Sequence, residues 1–223
     1  MDWQRARTPE KIEERKEAIL AAAKELFQKN AYENISLNGI AAHAGFTKSN
    51  VYRYFSTREE IFLTIFVELL EKWSRSILKM YKNFDNPVDL HSFSKDFIEV
   101  TTKHQRFLEL CSLVFISLEK NSSAEQLIEF KKYTLSLFSE HHRELKRLFP
   151  ELTFLGTVTF LKMAHATLSL LWSSSNPNET LKEVLRTPEF QPLAPDFSKE
   201  AVFAIAILLE GILAPSNQDM FAE

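Results

Sequence analysis

The chain has 223 residues, of which 45% are hydrophobic and 26% are charged, and its formal net charge is −3. This is a globular composition, and the small negative charge argues against a protein that coats nucleic acid with its whole surface. The four glycines leave little room for turns and strands, which favours an all-helical fold. The single Cys111 excludes an intramolecular disulfide framework and fits a reducing, cytoplasmic setting.

The charge is unevenly distributed along the chain. Residues 1–56 carry nine Lys or Arg and seven Asp or Glu, a balance of +2, so the remainder carries −5. This asymmetry predicts that only the N-terminal part touches phosphate. Residues 1–16 are charged rather than apolar, and the longest apolar run, residues 201–209, is too short to span a bilayer. We therefore expect neither a signal peptide nor a membrane partner.

The first helical pattern opens close to the N-terminus. Thr8 and Pro9 are typical of an N-cap followed by the first helical position. Apolar residues at helical spacing then predict a helix to about Lys29, and Asn30 can end it in a left-handed conformation.

Two short helices are expected next, on either side of Gly45. Ser36 is the candidate cap of the first, and Thr47 is the candidate cap of the second, whose buried side we expect to be Val51 with Tyr54 or Phe55. Two short helices joined by a sharp turn are typical of a helix-turn-helix DNA reader, in which the second helix lies in the major groove.

A long helix follows the helix-turn-helix pattern. Thr57 with Glu60 three residues later has the spacing of a capping box, and apolar residues recur at helical spacing as far as about Tyr81. After a loop at residues 83–87, the same spacing predicts helices at residues 89–101, 105–119, 124–148, 152–173, 179–185 and 198–213.

Residues 11–62 resemble the TetR family of bacterial transcriptional repressors. The family's motifs stand here, in order, as Leu26-Phe27, Ala31-Tyr32, Ser36, Ile40-Ala41, Ala44-Gly45, Thr47-Lys48, Tyr52-Arg53-Tyr54-Phe55 and Arg58. The resemblance implies a DNA-binding domain at residues 1–57 and a helical effector-binding and dimerisation domain at residues 58–223. Three residues depart from the pattern: Ala31 and Ser49 replace frequent glycines, and Gly39 lies inside the second helix.

The expected DNA contacts have side chains that can reach base edges or phosphates. They are Ser36, Asn38, Thr47, Lys48, Ser49, Asn50, Tyr52, Arg53, Tyr54 and Arg58. Lys48 can reach a guanine edge or a phosphate, and Asn50 can pair with adenine. Arg53 and Arg58 suit contacts with the DNA backbone. Ser36 and Asn38 begin the second helix, where the backbone amides favour a phosphate.

Other interpretations of several of these residues remain open at the level of sequence. Tyr54 and Phe55 can belong to the core of the small domain instead, and Arg53 can be a solvated charge. His43 reads as a surface residue. Residues 5 and 7, both Arg, can form an arm in the minor groove or part of a disordered tail.

The later helices carry many aromatic residues, which ordinary core packing explains. The family resemblance implies a second use for some of them, an apolar cavity for a small-molecule effector. The candidate lining residues are Trp73, Phe107, Cys111, Phe115, Phe138 and Met163. Cys111 lies in a mostly apolar segment of the chain, which favours a buried inert thiol over a redox sensor.

The predicted helices at residues 152–173 and 198–213 are apolar on several sides and contain small residues, among them Gly156 and Gly211. Such helices need burial beyond one stripe. The resemblance implies that two of them per subunit form the interface of a homodimer, and the alternative is that both are central helices of a monomer.

No sequence feature indicates catalysis, a cofactor or a metal site. The chain has no phosphate-cradling glycine loop and no nucleophile motif, and adjacent His141 and His142 point in different directions, which favours a solvated face over a metal site. We therefore predict a repressor that an apolar or amphipathic ligand releases from its DNA operator. The alternatives are a regulator controlled by a protein partner and an all-helical enzyme.

Overall fold

A computed structural model describes residues 8–221, and these residues form ten α-helices without any strand. The ten helices are α1 Pro9–Lys29, α2 Leu37–His43, α3 Lys48–Val51, α4 Arg58–Tyr81, α5 Leu90–Thr102, α6 Gln105–Leu113, α7 Ala124–Leu148, α8 Phe154–Ser175, α9 Glu179–Leu185 and α10 Phe197–Leu213. The predicted all-helical fold is therefore confirmed.

Most helix boundaries agree with the sequence prediction because capping residues set them. The hydroxyl of Thr8 accepts a hydrogen bond from the Lys11 N–H at 3.4 Å, and α1 starts at Pro9. Asn30 does end α1, but its backbone is extended, with φ −131° and ψ 154°. The expected left-handed cap is therefore wrong. The Asn30 side-chain amide instead donates to the Leu26 carbonyl at 2.8 Å, which satisfies one of the last carbonyls of the helix.

The predicted helix over residues 105–119 is interrupted. The α-helical part, α6, ends at Leu113, a π-helical turn covers Val114–Leu118, and a 3₁₀ turn covers Glu119–Asn121. Apolar spacing indicates a helix but carries no information on which backbone hydrogen bonds change length along it, so the interruption could not be read from the sequence.

The chain divides into two compact units. Unit 1 contains residues 1–68 together with 114–129, and unit 2 contains residues 69–113 together with 130–223. The expected division at residue 57 therefore differs from the packing of the structure. The first part of α4 and the distant segment 114–129 both pack with the helix-turn-helix.

Glu60 explains why segment 114–129 belongs to unit 1. Its side chain is buried, and its two carboxylate oxygens accept the N–H of Ser56 at 2.6 Å and the N–H of Ser123 at 3.0 Å. Gln126 donates its amide to the Glu60 carbonyl at 2.7 Å. A carboxylate that accepts two backbone N–H groups replaces its lost hydration, so its burial is tolerated.

The expected capping box at the start of α4 forms in modified geometry. Thr57 Oγ1 accepts the Glu60 N–H at 3.1 Å, as the spacing predicts, and donates to the Asn121 carbonyl at 2.8 Å. In the second bond of the capping box, the Glu60 carboxylate accepts the N–H of Ser56 rather than that of Thr57. The first turn of α4 therefore binds both the chain before it and segment 114–129.

Unit 2 has an aromatic core with a buried polar cluster. The Trp73 ring stacks on Phe107 at 4.9 Å between centroids, and its Nε1 donates to Thr101 Oγ1 at 3.0 Å. His141 is 1% exposed, with Nε2 at 2.8 Å from Ser74 Oγ. The expectation that His141 lies on a solvated face is therefore wrong, because a histidine with a hydrogen-bond partner can be buried without a net charge.

The two apolar helices near the C-terminus pack against each other in unit 2. At Gly156 in α8 an added Cβ would lie 3.0 Å from Leu152 Cδ1 and 3.4 Å from Ile212 Cγ2, so glycine allows the close approach that the sequence predicts. At Gly211 in α10 an added Cβ would meet nothing within 4 Å. The expected need for a small residue at Gly211 is therefore not found within one chain.

Within residues 8–221, α8 is the one helix that is long and apolar enough to cross a membrane, judged by length and composition alone. The core helix of a soluble protein passes the same test, so this property is weak evidence for a membrane. The expectation from the 201–209 run considered only uninterrupted apolar residues and overlooked α8.

The buried His141 makes the stability of unit 2 depend on pH. Burial lowers the pKa of His141 from 6.5 to about 4, so the folded state disfavours the proton that the unfolded chain accepts. The contribution of neutral His141 to the free energy of unfolding is therefore fully present above pH 6.5. This contribution is lost as the pH falls from 6.5 towards 4. At 1.36 kcal/mol per pKa unit, the loss attributable to His141 is about 3 kcal/mol.

We expect the free energy of unfolding of wild type, measured by urea denaturation, to fall towards that of His141→Gln as the pH decreases over this range. His91→Gln, at an exposed position in α5, should keep the wild-type pH dependence. Parallel pH profiles for wild type and His141→Gln would contradict the assignment.

Candidate nucleic-acid interface

The turn between α2 and α3 has the geometry that the sequence predicts. Gly45 has a φ of +72°, in the left-handed region, and the described residues include no other residue with positive φ. The Phe46 N–H donates to the Ala41 carbonyl at 2.8 Å and closes the turn. Glycine is suited to this position because a Cβ there would crowd the backbone.

Side-chain caps fix the start of both helices. Ser36 Oγ accepts the Gly39 N–H at 3.0 Å, and Thr47 Oγ1 accepts the Asn50 N–H at 3.3 Å. Each hydroxyl still has a proton to donate, so capping leaves Ser36 and Thr47 available to accept or donate elsewhere.

The α3 segment separates a buried side from an exposed side. Val51 is fully buried and Phe55 is 7% exposed, whereas the polar residues that precede and follow Val51 face outward. The helix itself ends at Val51, and Tyr52 begins a turn, and the expected burial of Val51 with Phe55 is confirmed. Asn38, Lys48, Ser49, Tyr52 and Arg53 are exposed, and Asn50 is half-buried.

Lys48 and Tyr52 form a pair on the exposed side. The Lys48 ammonium lies 5.5 Å from the centroid of the Tyr52 ring, and that tyrosine is 48% exposed. The contact holds a positive charge beside an aromatic ring that also carries a hydroxyl donor. This surface can approach a phosphate and a base edge together.

The structure gives the burial and the contacts of three residues whose interpretation the sequence left open. Phe55 belongs to the core of unit 1. Tyr54 is half-buried, and its hydroxyl accepts a hydrogen bond from Arg15 at 3.4 Å, so part of this side chain supports the fold. His43 is exposed and lies 2.8 Å from the Glu25 carboxylate. The two arginines at residues 5 and 7 lie outside the described residues.

Arg58 differs from the other predicted DNA contacts. Its side chain is 25% exposed, and its guanidinium donates to the Ile35 carbonyl at 2.9 Å and to the Glu59 carboxylate at 3.0 Å. These bonds engage the guanidinium within unit 1, and the expected contact of Arg58 with the DNA backbone stays a prediction.

Only part of the predicted effector set comes together in unit 2. Trp73, Phe107 and Cys111 are buried, and Trp73 stacks on Phe107. Burial raises the pKa of the Cys111 thiol well above its usual value, which agrees with an inert side chain. Phe138 is half-buried on α7.

Two members of that set are exposed, and their role at a ligand site stays a prediction. Phe115 is 50% exposed and belongs to the π-helical turn of unit 1, and Met163 is 46% exposed on α8. Three buried polar residues of unit 2, Ser74, Tyr81 and His141, were not among the predicted site residues. His141 Nδ1 lies 3.2 Å from the Tyr81 hydroxyl. Their helical spacing gave no signal that distinguishes a polar cluster from surface residues. No group of three His, Cys, Asp or Glu side chains suited to a metal ion occurs in residues 8–221.

Comparison with known families decides the classification. Residues 19–65 match the family of bacterial regulatory proteins called the tetR family, and residues 67–216 match the tetracycline-repressor-like C-terminal domain. The chain belongs to the TetR family. It carries the DNA-binding helix-turn-helix and the C-terminal domain of that family, whose regulators bind operator DNA and typically dimerise.

Individual relatives of this TetR-family chain are distant. It is 33% identical over 72 residues to the uncharacterised HTH-type transcriptional regulator YfiR of Bacillus subtilis (strain 168), which covers 32% of this chain and 35% of that protein. It is 26% identical over 81 residues to the HTH-type transcriptional regulator HbdR of Aromatoleum sp. (strain CIB), covering 36% of this chain and 35% of that protein. The chain thus spans about a third of the length of these two relatives.

A solved structure of a protein described as a TetR-family transcriptional regulator, from Mesorhizobium loti MAFF303099, has the same fold. The TM-score is 0.50 and the sequence identity is 15%, with 90% of this chain and 97% of that chain covered. At this identity the similarity concerns the fold alone.

The two glycines of the helix-turn-helix should respond to alanine with opposite signs. At Gly45 the new Cβ would meet nothing beyond the adjacent residues, but crowding against that adjacent backbone in the left-handed conformation should cost about 1–2 kcal/mol of stability. At Gly39 the new Cβ would lie 3.4 Å from Ser36 Oγ, and the helix should gain up to about 1 kcal/mol. Urea denaturation of both variants measures these changes, and equal signs would show that backbone conformation does not set them.

Proposed function

We propose that this TetR-family regulator binds a specific double-stranded operator as a symmetric homodimer and represses until a small apolar or amphipathic molecule releases it. The observation that carries the DNA-reading part is the exposed polar surface of α3. Lys48, Ser49, Tyr52 and Arg53 face outward around the buried Val51. A surface helix without a ligand more often carries solvated Glu and Lys than this combination.

We assign the DNA contacts by the chemistry of each side chain. Lys48 and Asn50 can read base edges, whereas Arg53 and the Tyr52 hydroxyl suit phosphates. Ser36, Asn38, Thr47, Ser49 and Tyr54 complete the proposed contacting set. The operator DNA of bacterial regulators lies in the cytoplasm. The cytoplasm is therefore the proposed location of the protein.

Selection of bound duplexes from a random DNA pool tests this proposal and returns the operator. Lys48→Ala and Tyr52→Ala should each weaken operator binding about tenfold or more, because a good contact is worth about 1–3 kcal/mol. Lys72→Ala, which removes an exposed lysine of unit 2, is the matched control and should bind as wild type. Unchanged gel-shift affinity of both Lys48→Ala and Tyr52→Ala would contradict the assignment of the DNA-binding site.

The exposed sides of α8 and α10 support the homodimer. Leu155, Met163 and Leu170 recur at near-heptad spacing on α8 and are 43%, 46% and 71% exposed. On α10, Phe203 and Ile207 are 68% and 49% exposed, one helical turn apart. The two helices pack on each other, and their exposed apolar sides are the proposed dimer surface.

A second copy of this chain is the proposed partner of that surface. Contiguous exposed apolar residues mark interaction sites, and a single α3 reads too few base pairs to select an operator. The same arrangement explains the apolar character of α8 without a membrane, because its outer side would be buried in the dimer.

Phe203→Glu and Ile207→Glu should convert the dimer to a monomer, because each places a charge in an apolar interface. We chose these positions over the neighbouring Ala204 and Ala206, which are only partly exposed. Leu135→Glu, at a position on α7 that is 55% exposed, is the matched control and should remain dimeric. Light scattering at micromolar concentration measures the state, and a monomeric wild type that still binds operator would refute the proposal.

The effector proposal rests on the buried aromatic and polar side chains of unit 2. Trp73 stacks on Phe107 and lies 5.9 Å from the ring of His141, so apolar rings and hydrogen-bonding groups occur side by side. Ligand sites of small molecules combine these two properties. Trp73 stands on α4, and the same helix opens with the Glu60 bonds of unit 1.

A ligand that favours the released state by about 2–3 kcal/mol would weaken operator binding about 30- to 150-fold. Because coupling is reciprocal, operator DNA must weaken ligand binding by the same factor. A thermal-shift screen finds the ligand, and calorimetric titration with and without operator measures the factor. Equal ligand affinity in the two titrations would rule out this release mechanism.

Control by a protein partner is the second candidate. Phe115 and Ile116 are 50% and 63% exposed on the π-helical turn of unit 1, which is an unusual position for two large apolar side chains. A metabolite panel that gives no thermal shift, together with intact operator binding, would favour this candidate over a small-molecule effector.

A further inference from the structure

The guanidinium of Arg58 is committed to unit 1 by several contacts at once. Nη1 donates to the Ile35 carbonyl at 2.9 Å, and Nη2 and Nε donate to one Glu59 carboxylate oxygen at 3.0 and 3.3 Å. The guanidinium carbon lies 4.2 Å from the centroid of the Tyr32 ring. Planar stacking combined with a forked hydrogen-bond pattern is a geometry that arginine provides and lysine does not.

Tyr32 and Glu59 close this arrangement into a cluster, which we call the Arg58 cluster (Tyr32, Ile35, Arg58 and Glu59). The Tyr32 hydroxyl donates to Glu59 Oε1 at 3.1 Å, and Tyr32 is 4% exposed. The Tyr32 ring also meets the Phe62 ring edge-on at 4.8 Å between centroids. The cluster is therefore anchored in the core of unit 1 through its aromatic member.

The cluster holds the backbone at the entrance to α2. The Ile35 carbonyl that Arg58 binds belongs to the residue directly before Ser36, which caps α2. The helix has only seven residues and leads directly into the Gly45 turn and α3. A shift of the Ile35 carbonyl would therefore change the placement of both helices relative to α4.

We propose that Arg58 is a positioning residue that sets the orientation of the helix-turn-helix on α4, and that it does not contact DNA phosphate. The proposal rests on the proposed operator binding for its functional readout. If Arg58 turned outward to a phosphate, the Ile35 carbonyl would lose the Arg58 N–H. The partly buried Glu59 carboxylate, which is 16% exposed, would lose two charged N–H donors and keep the Tyr32 hydroxyl. The charge of Glu59 would then lack its nearest cation inside the protein.

The two roles differ in their dependence on charge and on salt. A phosphate contact needs a positive charge, so lysine would replace arginine with little loss. Each phosphate contact contributes about 0.9 to the slope of log affinity against log salt, which is about two for both subunits of a dimer. A positioning residue contributes to affinity through geometry, so its loss should leave that slope unchanged.

The experiment compares four variants of the full chain on the duplex that wild type selects from a random pool. Arg58→Lys and Arg58→Gln should both bind the selected duplex about tenfold more weakly, with the wild-type salt slope. Arg53→Lys and Arg53→Gln are the matched controls, at an exposed arginine of the same head. We expect Arg53→Lys to retain the slope and Arg53→Gln to lower it by about two.

Affinity for a scrambled duplex separates positioning from a general loss of stability. Below the unfolding transition, Arg58→Lys should lose affinity for the selected duplex but not for the scrambled one, because misplaced helices still present their charges. A merely stabilising residue would lower the melting temperature and leave the ratio of the two affinities unchanged, which would overturn the proposal. Retained affinity in Arg58→Lys with a reduced slope in Arg58→Gln would identify a phosphate contact and overturn it as well.

Hydrogen exchange provides a readout that does not depend on DNA. In Arg58→Lys the amides of residues 36–43 should exchange about tenfold faster, while those of residues 19–27 in α1 should keep the wild-type rate. Unchanged exchange in residues 36–43 would overturn the proposal even if DNA binding were weakened. A wild-type chain that selects no duplex would refute the proposed function, and the exchange rates would still decide whether Arg58 holds the entrance to α2. If Arg58→Gln fails to fold, the affinity and exchange rates of Arg58→Lys decide the proposal, and Tyr32→Phe, which removes the hydroxyl that donates to Glu59, should likewise speed exchange in residues 36–43.

Discussion

Unit 1 depends on the buried carboxylate of Glu60. This side chain accepts the N–H of Ser56, which ends the helix-turn-helix. It also accepts the N–H of Ser123, which lies 63 residues after Glu60 in the chain. The two N–H groups replace the hydration that the Glu60 carboxylate loses on burial, so these bonds stabilise the buried charge. The segment 114–129 thereby becomes part of the DNA-reading unit, although the chain reaches it only after passing through unit 2.

This arrangement gives unit 1 two covalent routes to unit 2. The helix α4 begins at the Glu60 bonds and continues to Trp73 and Tyr81, and α7 begins beside Ser123 and continues to His141. Trp73 and His141 stack in unit 2, where His141 is neutral at ordinary pH because burial lowers its pKa to about 4. The helices α4 and α7 thus both begin beside the bonds of Glu60, and each carries a member of the same buried cluster.

Local signals were sufficient to predict the helices and their caps. Thr8, Ser36 and Thr47 cap helices where the sequence places them, because a cap depends on residues only three positions apart. Gly45 was equally predictable, since a sharp turn between two helical patterns calls for a left-handed residue. The exposed side of α3 followed from Val51, whose burial fixes which neighbours face outward.

The sequence by itself therefore determined the all-helical class, the helix-turn-helix and the side chains of α3 that face outward, because each depends on periodicity or on contacts between near neighbours. Only the tertiary structure decided that Arg58 turns inward, that His141 is buried and that Phe115 and Met163 are exposed. Those outcomes depend on partners such as Ile35 and Ser74, which lie more than twenty residues away in the chain. Helical spacing assigns a residue to a face, but the element that packs on that face is set by the folded chain.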